Sequence, residues 1–412
     1  MCPMKILMVH DYYSIRGGED SCFERETALL ERNNVEVVGY SRRNTDDTAG
    51  SLSWNSKLAL GIRTIWSHSD YQALRQLIST EKPDLMHVQN SFPLISPSAY
   101  YAARHEDIPV IQTLHNYRLI CPSAVFMREN KVCEDCARKT LPWPAVVHAC
   151  YPHGRAATAV TSSMIAIHRL LKTWRDVVDG YIAQSEFMRA KFIECGLPAR
   201  KVFLKSGFVY PDPGEAPGSG DYAIFVGRLS PEKGVDVLIK AWEQTRQPWP
   251  LKIIGEGPLD ASIRALASRI QGIEVLGRVS GEELHYLRRN ARFQIVPSIW
   301  YEGAPAVILE AFAIGLPIVA SRIGSLATMI DHSRNGLHFE TGNAADLAAQ
   351  VDRMFLRPEE LAWMRRNARQ DFLNKYTADE SFTALMDVYA KVITANSGLG
   401  VQRTVSSRGL AG

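Results

Sequence analysis

Short apolar runs alternate with longer amphipathic segments, and the whole alternation occurs twice along the chain. Residues 6–9, 35–39, 85–88, 110–114 and 181–183 read as strands, with helical patterns over 23–32 and 71–79. The pattern resumes at 223–226, 251–254, 273–276, 293–296 and 318–320, with helical segments over 235–244 and 261–269. Strands joined through helices pair in parallel, and a parallel sheet needs helices on both faces. Two such series predict an α/β chain of two Rossmann-like domains. Residues 210–220 hold three prolines and three glycines, a density that no packed element survives. The expected division is therefore 1–208, a linker at 209–220, and 221–375. A helix over 376–396 is expected to cross back to the first domain, and 397–412, with several Ser and Gly, to be a loose tail.

Composition narrows the function classes. At roughly 150 residues per domain, 412 residues suit two or three domains. An apolar content of 46% excludes a disordered chain. Lys and Arg number 47 against 44 Asp and Glu, so the net charge of +3 gives no support to a basic nucleic-acid binder. The longest apolar run, 305–320, is broken by Glu310 and Pro317 and falls short of the roughly 18 residues that span a bilayer. The apolar stretch 6–9 is followed at once by His10 and Asp11, which suits a buried strand and not a signal peptide. The seven cysteines are odd in number and follow no export signal, so a reducing cytoplasm is the expected compartment.

Three segments carry candidate chemistry. Residues 225–234 place Arg228 and Lys233 around a turn between a strand and a helix, where an anion could sit beyond the strand's carboxyl end. A turn with two solvated bases is the plainer reading. Residues 302–310 put Glu302, Gly303, Ala304 and Pro305 ahead of a helix that starts near Ala306, whose free amides form a positive pole. Glu310 lies one turn inside that apolar helix and needs a partner, either ligand hydroxyls or an internal Arg. After the first strand, Gly17 and Gly18 open a helix without the G-x-G-x-x-G spacing, for a phosphate or for close packing.

Taken in this order, the Arg228/Lys233 turn, the Glu302-x7-Glu310 segment with its continuation through 311–321, and the Gly17-Gly18-Glu19 turn resemble glycosyltransferase family 4. Residues 113–122 look like a bacterial subgroup that builds surface polysaccharides. The resemblance implies a GT-B fold, two Rossmann-like domains with parallel sheets facing a central cleft. It implies a retaining transferase that moves a sugar from a nucleotide-diphosphate sugar to a glycan or lipid-linked glycan acceptor. By the same resemblance, Arg228 and Lys233 bind the diphosphate, and Glu310 takes the ribose hydroxyls. Glu302, Gly303, Ala304 and Ala306 orient the sugar. Gly17 and Gly18 let backbone approach the donor, and His115 sits beside the transferred sugar. No Asp-x-Asp is present, and fixed positive charge can serve the leaving group, so no cofactor or divalent metal is expected for catalysis. Pro305 stands where relatives offer an amide, and Asn116 where an Asp is often seen, which leaves the donor sugar open.

Two further features are separate from the transfer chemistry. Cys121, Cys133, Cys136 and Cys150 form C-x11-C-x2-C-x13-C in a proline-bearing loop, a spacing that suits a structural zinc, with His148 and His153 as substitute ligands. A disulfide or four free thiols are the alternatives. Residues 58–66 and 164–174 mix apolar, basic and Trp side chains, as a helix lying on a membrane surface would, or one that only packs its apolar face; the family resemblance adds the inner face of the cell membrane. A transferase with a soluble acceptor, an epimerase and a non-catalytic sugar-nucleotide-binding subunit are the competing functions.

Overall fold

The computed structural model describes residues 4–14, 17–43 and 54–408. Six parallel strands form a first sheet: β1 (Lys5–Tyr12), β2 (Glu36–Arg43), β3 (Leu85–Asn90), β4 (Val110–Leu114), β5 (Gly180–Ala183) and β6 (Val202–Leu204), in the order β2-β1-β3-β4-β5-β6. Six more form a second: β7 (Ala223–Val226), β8 (Leu251–Ile254), β9 (Ile273–Gly277), β10 (Phe293–Val296), β11 (Ile318–Ser321) and β12 (Gly336–Phe339). Their order is β9-β8-β7-β10-β11-β12. In both sheets the strand order reverses beside the first strand, and ligands bind beyond the carboxyl ends of strands at such a point.

Both faces of each sheet are buried, which explains why its strands read as continuous apolar runs. In β1, Leu7 and Val9 face one core, while Ile6 and Met8 face another. That second core is closed by the final helix, Ala378–Arg408, through Leu385, Val388, Tyr389 and Val392. The final helix thus returns from the second sheet to cover the first. It runs to Arg408, so the loose tail expected over 397–412 is corrected as far as that residue. Isolated Gly and Ser cost a helix about 1 kcal/mol or less each, too little to stop one already anchored by packing. Residues 409–412 lie outside the described part. The strands β6 and β12 were not expected; both are edge strands of three or four residues, too short to show a period.

The anchor has a polar centre. His87 on β3 is fully buried, with Nδ1 2.7 Å from the Tyr389 hydroxyl and Nε2 2.7 Å from Thr113 Oγ1. Burial pushes its pKa down to about 4, so it is neutral. Tyr389→Phe removes the close partner of His87 Nδ1 and leaves only Glu26 Oε1 at 3.5 Å, at an expected cost of about 1–3 kcal/mol. Urea unfolding followed by tryptophan fluorescence should show the lower midpoint, and an unchanged midpoint would mean the helix does not depend on this contact.

Candidate active site

A cleft of about 550 Å³ opens between the two sheets, within the usual size range of ligand pockets. The first sheet's side supplies Gly18, Glu19, Cys22, Arg25, His115, Asn116 and Gln184. The second supplies Gly227, Arg228, Lys233, Ser298 and the run from Trp300 to Val307. His115 directly follows β4, Gln184 follows β5, and Gly227 follows β7. The carboxyl ends of strands from both sheets therefore face the same space.

Lys233 and Glu302 form the charged core of the second wall. Lys233 Nζ lies 2.7 Å from Glu302 Oε1, and Ser298 Oγ donates to the same oxygen at 2.7 Å. Burial alone would raise the Glu302 carboxyl, but Lys233 and Ser298 outweigh it and hold the pKa below the usual carboxylate value. Gly234 makes the approach of Lys233 possible. Its φ is +66°, and a Cβ there would stand 1.9 Å from the Pro297 carbonyl oxygen. Arg228 is exposed and makes no ion pair among the described residues. Its charge is available to whatever enters.

The helix Ala306–Ala313 points its N-terminus into the cleft, capped by Pro305, with Ala304 and Ala306 on the wall. Glu310 falls one turn further along, where its Oε2 accepts from Arg288 Nη1 at 2.6 Å. The internal Arg is thus its partner here. Glu310 is not among the residues lining the cleft, although it shares a helix face with Ala306.

On the first wall, the helix Gly18–Arg32 begins at the cleft. A Cβ on Gly17 or Gly18 would meet nothing within 4 Å, which removes close packing as the reason for these glycines. Gly18 lines the cleft; Gly17 does not, and its amide donates to Asp20 Oδ2 at 2.9 Å. His115 lines the cleft with both ring nitrogens engaged. Nε2 lies 2.6 Å from Gln89 Oε1, and Gln184 Nε2 lies 3.0 Å from Nδ1. Gln89 also donates to Glu26, which pairs with Lys205 at 2.5 Å in the buried interior. Burial pushes the His115 pKa down to about 3, so it acts as a neutral ring.

Several of these groups escaped the sequence reading. Arg25, a third cation, follows Gly18 and Cys22 at positions i, i+4 and i+7 of one helix face, a spacing that points it at the same space. Gln184 and Ser298 sit just past the ends of β5 and β10, where ligands gather in this architecture. Gln89 had no local signal, because only the folded sheet brings it to His115.

The four cysteines lie outside this cleft. They line one small cavity of about 10 Å³ together with Asp135, and His148 and His153 do not. All four are free of disulfides. As placed, no three His, Cys, Asp or Glu side chains among the described residues converge to hold a metal ion. The helices Trp54–Ile65 and Gly154–Leu170 expose Leu58, Ile62, Ile167 and Leu170, and no described helix is long and apolar enough to cross a membrane.

Comparison with known proteins agrees with this architecture. Residues 16–207 match Glycosyltransferase Family 4, and residues 210–371 match Glycosyl transferases group 1. An uncharacterized glycosyltransferase of Methanocaldococcus jannaschii, MJ1178, is 30% identical over 399 residues, which are 95% of this chain and 99% of the relative. The lipopolysaccharide outer core galactosyltransferase WaaB superposes with a TM-score of 0.66 at 18% identity, over 94% of this chain and 99% of that one. Anabaena Alr3699/HepE, in complex with UDP and glucose, superposes with a TM-score of 0.63 at 16% identity, over 96% and 100%. Two parallel sheets facing one cleft are the GT-B fold, and the chain belongs to glycosyltransferase family 4.

Proposed function

We propose that the chain is a retaining, metal-independent hexosyltransferase. It takes a sugar from a nucleotide-diphosphate sugar and adds it to a glycan or lipid-linked glycan in bacterial surface polysaccharide synthesis. The observation that carries this reading is the convergence of Arg228, Lys233 and a helix N-terminus on one cleft that faces Gly18 and His115 across it. Departure of a nucleoside diphosphate leaves negative charge on its terminal phosphate, and three fixed positive poles stabilise that charge as it forms. A scheme of this kind needs no divalent ion. UDP and glucose in the HepE structure, and the lipopolysaccharide substrate named for WaaB, support the donor and acceptor classes.

Each residue has a place in the scheme. Arg228 and Lys233 grip the diphosphate, with the bare backbone of Gly18 opposite and Gly17 behind it, outside the cleft lining. Glu302, Gly303, Ala304 and Ala306 orient the sugar. Pro305 offers no N–H, so the amides from Ala306 onward do the hydrogen bonding. Glu310, steadied by Arg288, keeps one carboxylate oxygen for the ribose hydroxyls. His115 stands beside the sugar as a neutral ring, held at the correct angle by Gln89 and Gln184. The acceptor hydroxyl attacks from the face the leaving group departs, and the departing phosphate takes its proton. No side chain is required as general base.

The acceptor's lipid carrier fits the surface of the first domain. The helices Trp54–Ile65 and Trp143–Val147 both pack on Gly154–Leu170. Leu58, Ile62, Trp143, Leu170 and Leu171 are each more than half exposed. Residues 137–175 carry six Lys or Arg and no Asp or Glu. An apolar ridge flanked by cations suits an anionic membrane surface.

Arg228→Ala should lower kcat/KM about 10- to 150-fold, the equivalent of about 1.5–3 kcal/mol, without changing stability, since its side chain has no ion-pair partner among the described residues. Wild-type turnover with any of UDP-, GDP- and dTDP-sugars that bind by calorimetry would remove this turn from the site. Gly18→Ala should keep stability within about 0.5 kcal/mol, because the added Cβ meets no atom within 4 Å, yet obstruct the donor. Unimpaired donor binding in that variant would place the diphosphate elsewhere. Transfer should run without added Mg²⁺ or Mn²⁺ and give a product with the donor's anomeric configuration by NMR; inversion contradicts the front-face course. Leu170→Asp should abolish co-sedimentation with phosphatidylglycerol vesicles, and wild-type protein that stays in the supernatant at low salt would overturn membrane docking.

A further inference from the structure

The loop between β4 and the helix Gly154–Leu170 is long and has little regular structure. Its described elements are a hairpin of two-residue strands, Met127–Arg128 and Lys131–Val132, and a five-residue helix, Trp143–Val147. Five residues that are not glycine, Ala124, Phe126, Glu129, Asn130 and Ala149, hold positive φ between 49° and 69°. A loop wound this way needs a tie other than its own small core.

The four cysteines sit where such a tie belongs. Cys121 enters the loop, Cys133 and Cys136 flank the turn after the hairpin, and Cys150 follows the short helix. All four line the same cavity of about 10 Å³, the size of a single small ion or water. The amide of Asp135 reaches the Cys133 sulfur, while that of Ala145 donates to the Pro142 carbonyl at 3.2 Å. An amide aimed at sulfur from two residues beyond the first Cys of a C-x2-C turn stabilises a thiolate there.

We propose that Cys121, Cys133, Cys136 and Cys150 form a structural zinc site that fixes this loop as part of the cleft wall. The chain segments are already gathered around the cavity, but two of the sulfurs face other groups, Cys121 Sγ at 3.1 Å from Ser123 Oγ and Cys136 Sγ donating to the Pro142 carbonyl at 3.8 Å, and they must turn inward to close on one ion. Four thiols release four protons to solvent and the ion gains four sulfur ligands, with no redox step. Four sulfurs fill a tetrahedral zinc and leave no open position, so the role is to hold structure. Soft thiolate ligands select zinc over magnesium or calcium. Arg128 lies within electrostatic reach of Cys133 and Cys150 and offsets the negative charge of the loaded site.

The site reaches the cleft through the turn it would fix. Glu134, inside the C-x2-C turn, pairs with Lys191 at 3.0 Å and takes a hydrogen bond from the Tyr301 hydroxyl. Phe126 meets the Tyr301 ring edge-on at 6.0 Å, and Tyr301 precedes Glu302. Ser123 and Ala124 line the cleft itself. Loss of the ion frees the loop side of the cleft and leaves Arg228 and Lys233 untouched.

The test uses the full chain purified without a metal-binding tag. Plasma emission analysis should give about one zinc per chain. Titration with a mercurial in the presence of a zinc indicator should release it in step with four thiols. Cys133→Ser/Cys136→Ser should bind less than a tenth of that zinc and be cut faster by protease within 121–150. UDP-sugar binding should change less than twofold, a readout independent of transfer. Should the double variant fail to fold, the mercurial release from wild-type protein still decides. Four thiols that react freely in native protein dialysed against zinc, with no metal bound, would overturn the proposal. So would a mass two daltons low, which marks a disulfide, or an equivalent of iron in place of zinc.

Discussion

The distance between the two halves of this protein is set at a glycine. Gly303, between Glu302 and the helix Ala306–Ala313, comes so close to the first domain that a Cβ would stand 2.7 Å from the His115 carbonyl oxygen. Around it, the Tyr117 hydroxyl donates to the Glu302 carbonyl at 3.3 Å, and Ser185 Oγ donates to the Gly303 carbonyl at 3.0 Å. Ser325, from the second domain, reaches the Glu302 carbonyl at 2.8 Å. One ridge of backbone is thereby gripped from both sides. The width of the cleft, the position of Glu302 beside Lys233 and the distance from His115 to Ala304 all follow from this contact.

Its chemistry also explains why charge in the cleft is arranged unevenly. On the second domain's wall, Lys233 is half-buried and spoken for by Glu302, while Arg228 is exposed and unpaired. The buried pair keeps Glu302 ionised, and Arg228 leaves its charge open to the cleft. On the opposite wall Arg25 and Arg118 are charged and bond the Ser21 and Pro122 carbonyls, and the other polar groups are neutral or locked. His115 is clamped between two Gln side chains, and burial raises the Glu19 carboxyl while Asn116 donates to it at 2.6 Å. Cations thus stand on both walls, Arg228 and Lys233 on one and Arg25 and Arg118 on the other.

Much of this was legible in the sequence, for physical reasons. Strands buried on both faces cannot hide their apolar runs, so the eight interior ones stood out; of the four edge strands, β2 and β9 were long enough to read, whereas β6 and β12 have only three or four residues. The Arg228/Lys233 turn and the segment from Glu302 to Glu310 were visible because each packs its chemistry into a few consecutive residues. Arg25 could have been found by extending the helical period from Gly18. Gln89 and Gln184 could not, since 95 residues separate them and only the sheet order brings both to His115. The partner of Glu310 stayed open between a ligand and an Arg because Arg288 lies on a different helix, Gly281–Asn290.

The final helix has a consequence for how the protein comes into being. Ile6 and Met8 belong to the first strand made, yet the residues that cover them, Leu385 to Val392, are among the last. A ribosome releases the chain from its first residue onward. Throughout synthesis of the second sheet, therefore, the first sheet carries an open apolar face and a buried-to-be His87 without its tyrosine. The amino-terminal half waits, incomplete, for the carboxy-terminal end. Early termination anywhere in the second half leaves not one finished domain and one fragment but a sticky, unfinished sheet, a ready substrate for chaperones and proteases.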